Sequence, residues 1–120
     1  MMRKSRIGVL TGGGDCAGLN PALKWVVKTA MDEQLEWERG IRYEVMGIRE
    51  GWKGLAHADL DGSHTEGHLV PLDPDKVRTW DRYGGTFLGT SRFSPFDPKN
   101  ECSKQVAENI ERLGLDAVIA

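Results

Sequence analysis

The chain has 120 residues, of which 39% are hydrophobic and 28% charged, a composition that is typical of one folded globular domain and argues against disorder. Sixteen basic and eighteen acidic residues leave a formal charge of −2, so no whole-molecule field would attract nucleic acid or an anionic membrane. The apolar runs are too short for a signal-peptide core or a membrane span, and two cysteines do not make a disulfide framework. We therefore expect a cytoplasmic protein.

Three apolar runs predict β-strands, at residues 7–10, 43–48 and 115–120, and we expect all three to be buried. Between the second and third runs the pattern is less regular. Residues 51–55 and 68–72 can pair there as a small ribbon across a polar loop.

Three predicted helices each begin with Asn or Asp directly before Pro, at residues 20–21, 73–74 and 97–98. The short polar side chain can cap the free amide groups of the first turn, and proline at the first helical position costs no hydrogen bond. Gly114 supplies a left-handed stop after the third helix.

Apolar residues recur at helical spacing in the first and third helices, which predicts that each helix packs one face on a sheet. In the first helix these residues are Leu23, Val26, Val27, Ala30 and Met31. In the third helix they are Cys102, Val106, Ile110 and Leu113. We expect Lys24 and Lys28, on the first helix, to be solvated charges.

The alternation of strands and helices predicts an α/β fold, a three-layer Rossmann-like parallel sheet with helices on both faces. The last predicted strand has no helix after it, and three strands make a small sheet with an open edge. The sequence therefore predicts an incomplete domain.

After the first predicted strand the chain continues into Gly12, Gly13 and Gly14 before a helix begins. Glycines let backbone amides approach a phosphate closely, and the helix start adds partial positive charge at the same point. Gly12-x-Gly14-x-x-Ala17 also fits the loose dinucleotide fingerprint, with Glu50 as its acidic residue about ten positions later than usual. A tight turn without a ligand is the third interpretation.

A second glycine-rich segment spans residues 84–92 and ends in Arg92. Its three hydroxyl side chains make a dense set of donors beside glycines that leave space for a ligand. Arginine is the side chain best shaped to hold a phosphate by two parallel hydrogen bonds. The alternative is a surface loop in which Arg92 pairs with a carboxylate such as Asp97. Together, the two segments favour a phosphorylated ligand.

The two segments resemble the phosphate-binding loops of 6-phosphofructokinases. The resemblance rests on Thr-Gly-Gly-Gly-Asp-Cys-Ala-Gly-Leu-Asn at 11–20 and Gly-Gly-Thr-Phe-Leu-Gly-Thr-Ser-Arg at 84–92. It extends to residues 47–55 and 113–120 and so covers essentially the whole chain, which looks like the amino-terminal third of such an enzyme. Ala17 stands where the family usually has proline, a difference that affects the rigidity of the loop more than its ligand chemistry.

The resemblance implies transfer of a phosphoryl group from ATP or pyrophosphate, with Mg²⁺, to the 1-hydroxyl of fructose 6-phosphate, giving fructose 1,6-bisphosphate in glycolysis. By position in the family's motifs, Gly13 would contact the donor phosphates through its backbone and Arg92 would neutralise them. Phe93 and Trp52 would border the donor. The residues that would support the loops are Gly12, Gly14, Asp15, Gly85 and Thr86. Phosphoryl transfer is catalysed largely by positioning and charge neutralisation, which suits these roles.

The same resemblance implies that residues 1–120 are the amino-terminal portion of the domain that binds the phosphoryl donor. The family's magnesium ligands and catalytic base follow the strand that ends at Ala120, so we expect this chain alone to be inactive. We expect the whole protein to be a homo-oligomer, and the resemblance does not distinguish ATP from pyrophosphate. Two alternatives stay open: the dinucleotide-binding domain of an oxidoreductase, and a non-catalytic remnant that binds phosphate.

Overall fold

The computed structural model describes residues 3–13, 17–56, 69–91, 94–99 and 101–120. Strands and helices alternate through these ranges. The strands are β1 (Arg3–Val9), β2 (Ile41–Ile48), β3 (Leu69–Leu72) and β4 (Ala117–Ile119). The helices are α1 (Leu19–Ala30), α2 (Glu33–Arg39), α3 (Trp52–Ala56), α4 (Pro74–Val77), a 3-10 helix (Trp80–Arg82) and α5 (Ser103–Arg112).

The strands form one sheet in the order β3-β2-β1-β4. The central strand β1 runs parallel to both neighbours, and its residue Val9 pairs with Gly47 of β2 and Ile119 of β4. The predicted parallel α/β sheet is thereby confirmed for three strands. Because strand order reverses at β1, a crevice is expected beyond the carboxyl end of this strand, where open α/β sheets bind ligands.

The predicted ribbon between residues 51–55 and 68–72 is wrong. Residues 52–56 form helix α3, and β3 pairs antiparallel with β2 instead, with Leu72 opposite Val45. In β3, Val70 and Leu72 are buried while Pro71 between them is exposed. This alternation suits a strand with one buried face, and a proline is tolerated at the edge of a sheet.

Two of the predicted helix starts have different outcomes. Asp73 caps α4 as predicted, because its carboxylate accepts a hydrogen bond from the Lys76 N–H at 2.7 Å. No helix begins at Asp97: its carboxylate accepts from the Lys99 N–H at 3.0 Å within a turn, and α5 begins at Ser103. The Asp-Pro pattern favours a local turn and a helix start equally, so it does not distinguish them.

Helix α2 was not predicted, although its ends carry ordinary signals. Asp32 accepts a hydrogen bond from the Leu35 N–H at 3.0 Å, and Gly40 ends the helix with a φ of 67°. Its residue Trp37 is 82% exposed, and Asp32 is followed by Glu33, so the helix lacks the Asn-Pro or Asp-Pro start from which the three helices were predicted.

Two buried clusters lie on opposite faces of the sheet, which confirms the three-layer arrangement. One packs α1 and α4 on the sheet, through Val9, Leu23, Val27, Ala30, Val45, Val70, Leu72, Val77, Trp80 and Leu88. The other packs α3 and α5, through Leu10, Ile48, Leu55, Ala56, Val106 and Leu115. The predicted apolar faces of the first and third helices are confirmed, since their residues lie in or against these clusters.

The expected burial of all three predicted strands fails for the last one. In β4, Ala117 and Ile119 are exposed and Val118 is half-buried. The strand pairs with β1 alone among the described strands, and only Val118 packs against a core cluster. None of the helices in the described ranges is long and apolar enough to cross a membrane.

Candidate functional site

The two glycine-rich segments predicted from the sequence lie side by side beyond the carboxyl end of β1. The Gly13 N–H donates to the Ser91 carbonyl at 3.1 Å, and the Thr90 hydroxyl donates to the Gly13 carbonyl at 2.7 Å. Gly13 is exposed and has a φ of +83°, which a residue with a side chain rarely adopts. The first loop therefore presents open backbone to solvent while the second loop holds it from one side.

Thr11, the second residue after β1, connects this strand end to the second loop. Its Oγ1 lies 2.9 Å from the Gly89 carbonyl oxygen and 2.9 Å from Thr86 Oγ1. A carbonyl oxygen only accepts, so the Thr11 hydroxyl donates to Gly89 and accepts from Thr86. Thr86 Oγ1 accepts in turn from the Leu88 N–H at 3.2 Å. These groups form one directed chain of hydrogen bonds, and Thr11 is buried.

Asn20 connects the start of α1 to the same second loop, and its side chain is fully buried. Its Nδ2 donates to the carbonyls of Tyr83 at 3.0 Å and Gly84 at 3.2 Å, while its Oδ1 accepts from the Phe87 N–H at 2.7 Å. The Asn20 backbone N–H donates to the Gly85 carbonyl at 3.2 Å. One residue thus satisfies four backbone groups of a segment that has no regular secondary structure of its own.

The prediction that Asn20 caps the first helix is wrong. The helix begins at Leu19 with Gly18 in the capping position, and no side chain caps it. A signal for the buried role was present in the sequence, because Asn20 precedes Leu23 by three residues and so shares the apolar face of the helix. A polar residue on such a face requires buried partners.

A third segment, the turn after β2, completes the arrangement. The Glu50 N–H donates to the Leu88 carbonyl at 2.9 Å, and the Ser91 hydroxyl donates to the Glu50 carbonyl at 2.8 Å. Glu50 and Gly51 both have positive φ, 60° and 61°. A Cβ at Gly51 would lie 2.7 Å from the Thr11 carbonyl oxygen, so this close approach requires glycine.

Trp52, predicted to border the donor, lies beside the first loop. It is the first residue of α3 and is half-buried. A Cβ at Gly12 would lie 3.9 Å from Trp52 Cδ1, so the indole ring borders the space beside this exposed glycine. Trp52 and Gly12 are thus neighbours at one side of the loop.

Four of the predicted site residues, Gly14, Asp15, Arg92 and Phe93, lie outside the described residues. The structure brings the others together at the carboxyl ends of β1 and β2: Gly12, Gly13, Trp52, Gly85 and Thr86. The sequence analysis did not assign to the site the residues that connect the loops, above all Thr11 and Asn20.

Lys24, in α1, is not the solvated charge that the sequence predicted. Its Nζ lies 2.9 Å from Asp81 Oδ1, and only 13% of its side chain is exposed. The hydrogen bond from Lys24 lowers the pKa of the Asp81 carboxyl group below its ordinary value. Lys28 does remain exposed, with its Nζ 4.8 Å from the centre of the Trp25 ring. The ion pair therefore links α1 to the 3-10 helix that leads into the second loop.

A groove of about 500 Å³ lies at the opposite end of the sheet, lined by residues that include Lys4, Arg42 and Pro74. It is remote from the glycine-rich loops, since Lys4 and Arg42 are paired near the amino-terminal ends of β1 and β2. Ligands of open α/β sheets bind at the carboxyl ends, so the candidate site is the loop surface rather than this groove.

Comparison with known proteins agrees with the geometry. The family model described as phosphofructokinase matches residues 6–120. A pyrophosphate--fructose 6-phosphate 1-phosphotransferase of Dictyoglomus thermophilum is 44% identical over 99% of this chain and 29% of its own length. An ATP-dependent 6-phosphofructokinase of Vibrio campbellii is 39% identical over 95% of this chain and 30% of its own length. The chain thus spans less than a third of these relatives.

A crystal structure of Pichia pastoris phosphofructokinase in the T-state superposes on 98% of this chain and 12% of its own, with a TM-score of 0.76 and 30% identity. A phosphofructokinase structure from Saccharomyces cerevisiae gives a TM-score of 0.67 and 33% identity over 95% of this chain and 13% of its own. The family match, the shared fold and the joined glycine-rich loops lead to the same conclusion: the chain belongs to the phosphofructokinase family.

Proposed function

We propose that the protein carrying this chain transfers a phosphoryl group from ATP or pyrophosphate to the 1-hydroxyl of fructose 6-phosphate. The proposal rests on the hydrogen bonds that join the two glycine-rich loops beside the exposed backbone of Gly13. The proposal is supported by relatives named for both donors. The family match favours it over a dinucleotide-binding oxidoreductase.

In this proposal the first loop supplies backbone surface for the donor phosphates. Gly12 and Gly13 are exposed, and no described residue would lie within 4 Å of a Cβ at Gly13, so the described part of the loop leaves room for a phosphate to approach. The Gly13 N–H already donates to Ser91, so the contact would be made by the open face of the loop or after that bond opens. Trp52, beside Gly12, would form one wall.

Arg92, which follows Ser91 in the sequence, would neutralise the donor phosphates, and Phe93 would border the nucleotide. Two hydrogen bonds hold Ser91 between Gly13 and Glu50, so the residue that precedes Arg92 in the sequence has a fixed position. Fixed donors in a preorganised site stabilise charge on the moving phosphoryl group without reorganisation during the reaction. Gly14 and Asp15 would complete the first loop, and Gly85 and Thr86 would support the second.

Mg²⁺ would neutralise charge on the donor phosphates in this reaction. No group of three or more His, Cys, Asp or Glu side chains gathers within the residues that the structure describes. We assign the magnesium ligands to no residue of this chain. A homo-oligomer, and the need for Mg²⁺ itself, are likewise proposals about the whole protein.

The test is a turnover assay of the complete protein with fructose 6-phosphate, Mg²⁺ and either ATP or pyrophosphate. We expect turnover with one donor, and we expect Arg92→Ala to lower kcat/KM for that donor by about 10²- to 10³-fold because a charge-neutralising donor is lost. The exposed Arg112→Ala on α5 is the matched control and should change kcat/KM by less than about twofold.

Two outcomes would contradict the proposal. Saturable binding of NAD without turnover of either phosphoryl donor would favour the dinucleotide-binding alternative. Binding of inorganic phosphate without turnover of fructose 6-phosphate would favour a non-catalytic module.

A further inference from the structure

We propose that Thr11 and Asn20 are positioning residues that hold the 84–91 segment in the shape required to bind the phosphoryl donor. The inference rests on the proposed function, because it concerns the same donor site. Both residues act through the second loop rather than on the donor, since Thr11 is 7% exposed and Asn20 is fully buried.

Asn20 acts on the first half of the segment. Its amide satisfies the carbonyls of Tyr83 and Gly84 and the N–H of Phe87, and these groups bracket the turn at Gly85, whose φ is +77°. Without the Asn20 side chain, three backbone groups would lose their partners in a partly buried environment. Unsatisfied buried groups cost about 1–3 kcal/mol each, so the turn would open toward water to recover hydrogen bonds.

Thr11 acts on the second half. Its hydroxyl donates to Gly89 and accepts from Thr86, and the carbonyl oxygen of Leu88, between those two, accepts from the Glu50 N–H. The segment is thus fixed against both β1 and the turn after β2. Its last two residues, Thr90 and Ser91, both form hydrogen bonds with Gly13.

Loss of these contacts should affect the binding of the donor selectively. The bonds of Thr11 and Asn20 fix the backbone that leads to Ser91 and then to Arg92 in the sequence, while neither side chain reaches solvent. A shift of about 1 Å in a positioning element can cost up to about a hundredfold in rate. We expect loss of either contact to weaken donor binding and to leave the affinity for fructose 6-phosphate nearly unchanged.

The test uses near-isosteric variants of the complete protein. Asn20→Asp keeps the acceptor for Phe87 and removes both amide donors, and Thr11→Val removes the hydroxyl at nearly constant volume. We expect each to raise the KM for the donor about tenfold or more, with KM for fructose 6-phosphate within about twofold. Thr11→Ser, which retains the hydroxyl, should restore most of the donor KM.

Asn109→Asp is the matched control. Asn109 is 1% exposed and its Nδ2 donates to the carbonyls of Leu55 and Ala56, the same chemistry at a place remote from the second loop. We expect Asn109→Asp to lower the thermal unfolding midpoint comparably while the donor KM stays at the wild-type value. Hydrogen exchange of amides 84–91 should accelerate in Asn20→Asp and Thr11→Val only.

Exchange rates and donor KM values in Asn20→Asp and Thr11→Val that match those of Asn109→Asp would overturn the inference. If the wild-type protein turns over neither donor, the proposed function fails, and binding of pyrophosphate, compared between Thr11→Val and Thr11→Ser, then decides this inference separately. Equal pyrophosphate affinity in those two variants would overturn it, and weaker binding by Thr11→Val alone would support it.

Discussion

Two buried asparagines, Asn20 and Asn109, use the same chemistry for different ends. Each is at most 1% exposed, and each donates both hydrogens of its side-chain amide to two consecutive backbone carbonyls. Asn109 joins two regular elements, because it lies in α5 and binds the end of α3. Asn20 joins α1 to a segment without regular structure that borders the candidate site. Burial and hydrogen bonding alone therefore do not distinguish a residue that shapes a site from one that joins two helices.

The largest effect is expected at Gly51, which lies between these two regions. A Cβ there would lie 2.7 Å from the Thr11 carbonyl oxygen, and the Gly51 carbonyl accepts from the Leu55 N–H at 3.3 Å. Gly51→Ala combines a positive φ with a backbone clash, and we expect it to lower the free energy of unfolding by about 3 kcal/mol. Urea titration of the complete protein measures this. Because Gly51 lies against Thr11 and also binds Leu55 of α3, the change should disturb the candidate site and the helix joined by Asn109 together.

Gly84→Ala is the control for Gly51→Ala. None of the described residues lies within 4 Å of a Cβ at Gly84, so its effect should stay within about 1 kcal/mol. Equal losses for the two glycine variants would contradict the role assigned to the close approach at Gly51.

A smaller effect is expected on the free energy of unfolding when either asparagine side chain is removed. Asn109→Ala leaves two buried carbonyls without a partner, and Asn20→Ala removes the partner of two carbonyls and one N–H in a partly buried place, so we expect each to cost about 2–3 kcal/mol of unfolding free energy. The two residues share no hydrogen-bond partner, so the double variant should lose the sum of the two costs within about 0.5 kcal/mol. Denaturant titrations of the three variants test this additivity. A coupling above about 1 kcal/mol would show that the two regions do not act independently.

The smallest effect concerns an exposed polar contact at the opposite end of the sheet. Asp116 accepts hydrogen bonds from the Arg6 N–H at 2.8 Å and the Ser5 hydroxyl at 3.2 Å, which connects β1 to the residue before β4. The Arg6 N–H, and after it the Ser5 hydroxyl, lower the pKa of the Asp116 carboxyl group below its ordinary value of 3.8. A lowered pKa in the folded state stabilises the fold above pH 3.8, and this stabilisation is lost as the pH falls through the lower folded pKa.

Asp116→Asn should therefore lower the unfolding midpoint at pH 7, and the difference from wild type should shrink as the pH falls below 3.8. Thermal unfolding over a pH series measures the difference. The exposed Glu108→Gln on α5 is the matched control and should give a small difference at every pH. A constant difference for Asp116→Asn across the series would show that its carboxylate charge is not what matters.

Local patterns in the sequence predicted most of the layered fold. The apolar runs around Val9 and Val45 gave two strands, helical spacing gave the buried faces of α1 and α5, and Asp73 gave a helix cap. Strand pairing was harder to predict, because no local sequence pattern distinguishes β2 from residues 51–55 as the partner of β3. The pairing is decided by which free sheet edge lies nearby in three dimensions.

The glycine loops of the site were predicted, but the residues that connect them were not. Asn20 precedes proline, and this pattern is the same for a cap and for a buried side chain in the first helical turn. Its partners lie about sixty positions away, at Tyr83 and Gly84. Arg92 and Phe93 lie outside the described residues, so their assignment stays a prediction.

The position of β1 at the centre of the sheet has a consequence for folding. Among the described strands this one comes first in the chain, yet one of its two neighbours, β4, comes after the other three, and the contact between Arg6 and Asp116 spans 110 positions of the sequence. Closing so long a loop delays a pairing, because its entropy is lost before the contact forms. During synthesis, β1 can pair with β2 while its other edge stays unpaired until β4 has been made. The first glycine loop, which leads directly from β1, therefore acquires its surroundings late, and the nascent chain has an exposed strand edge until then.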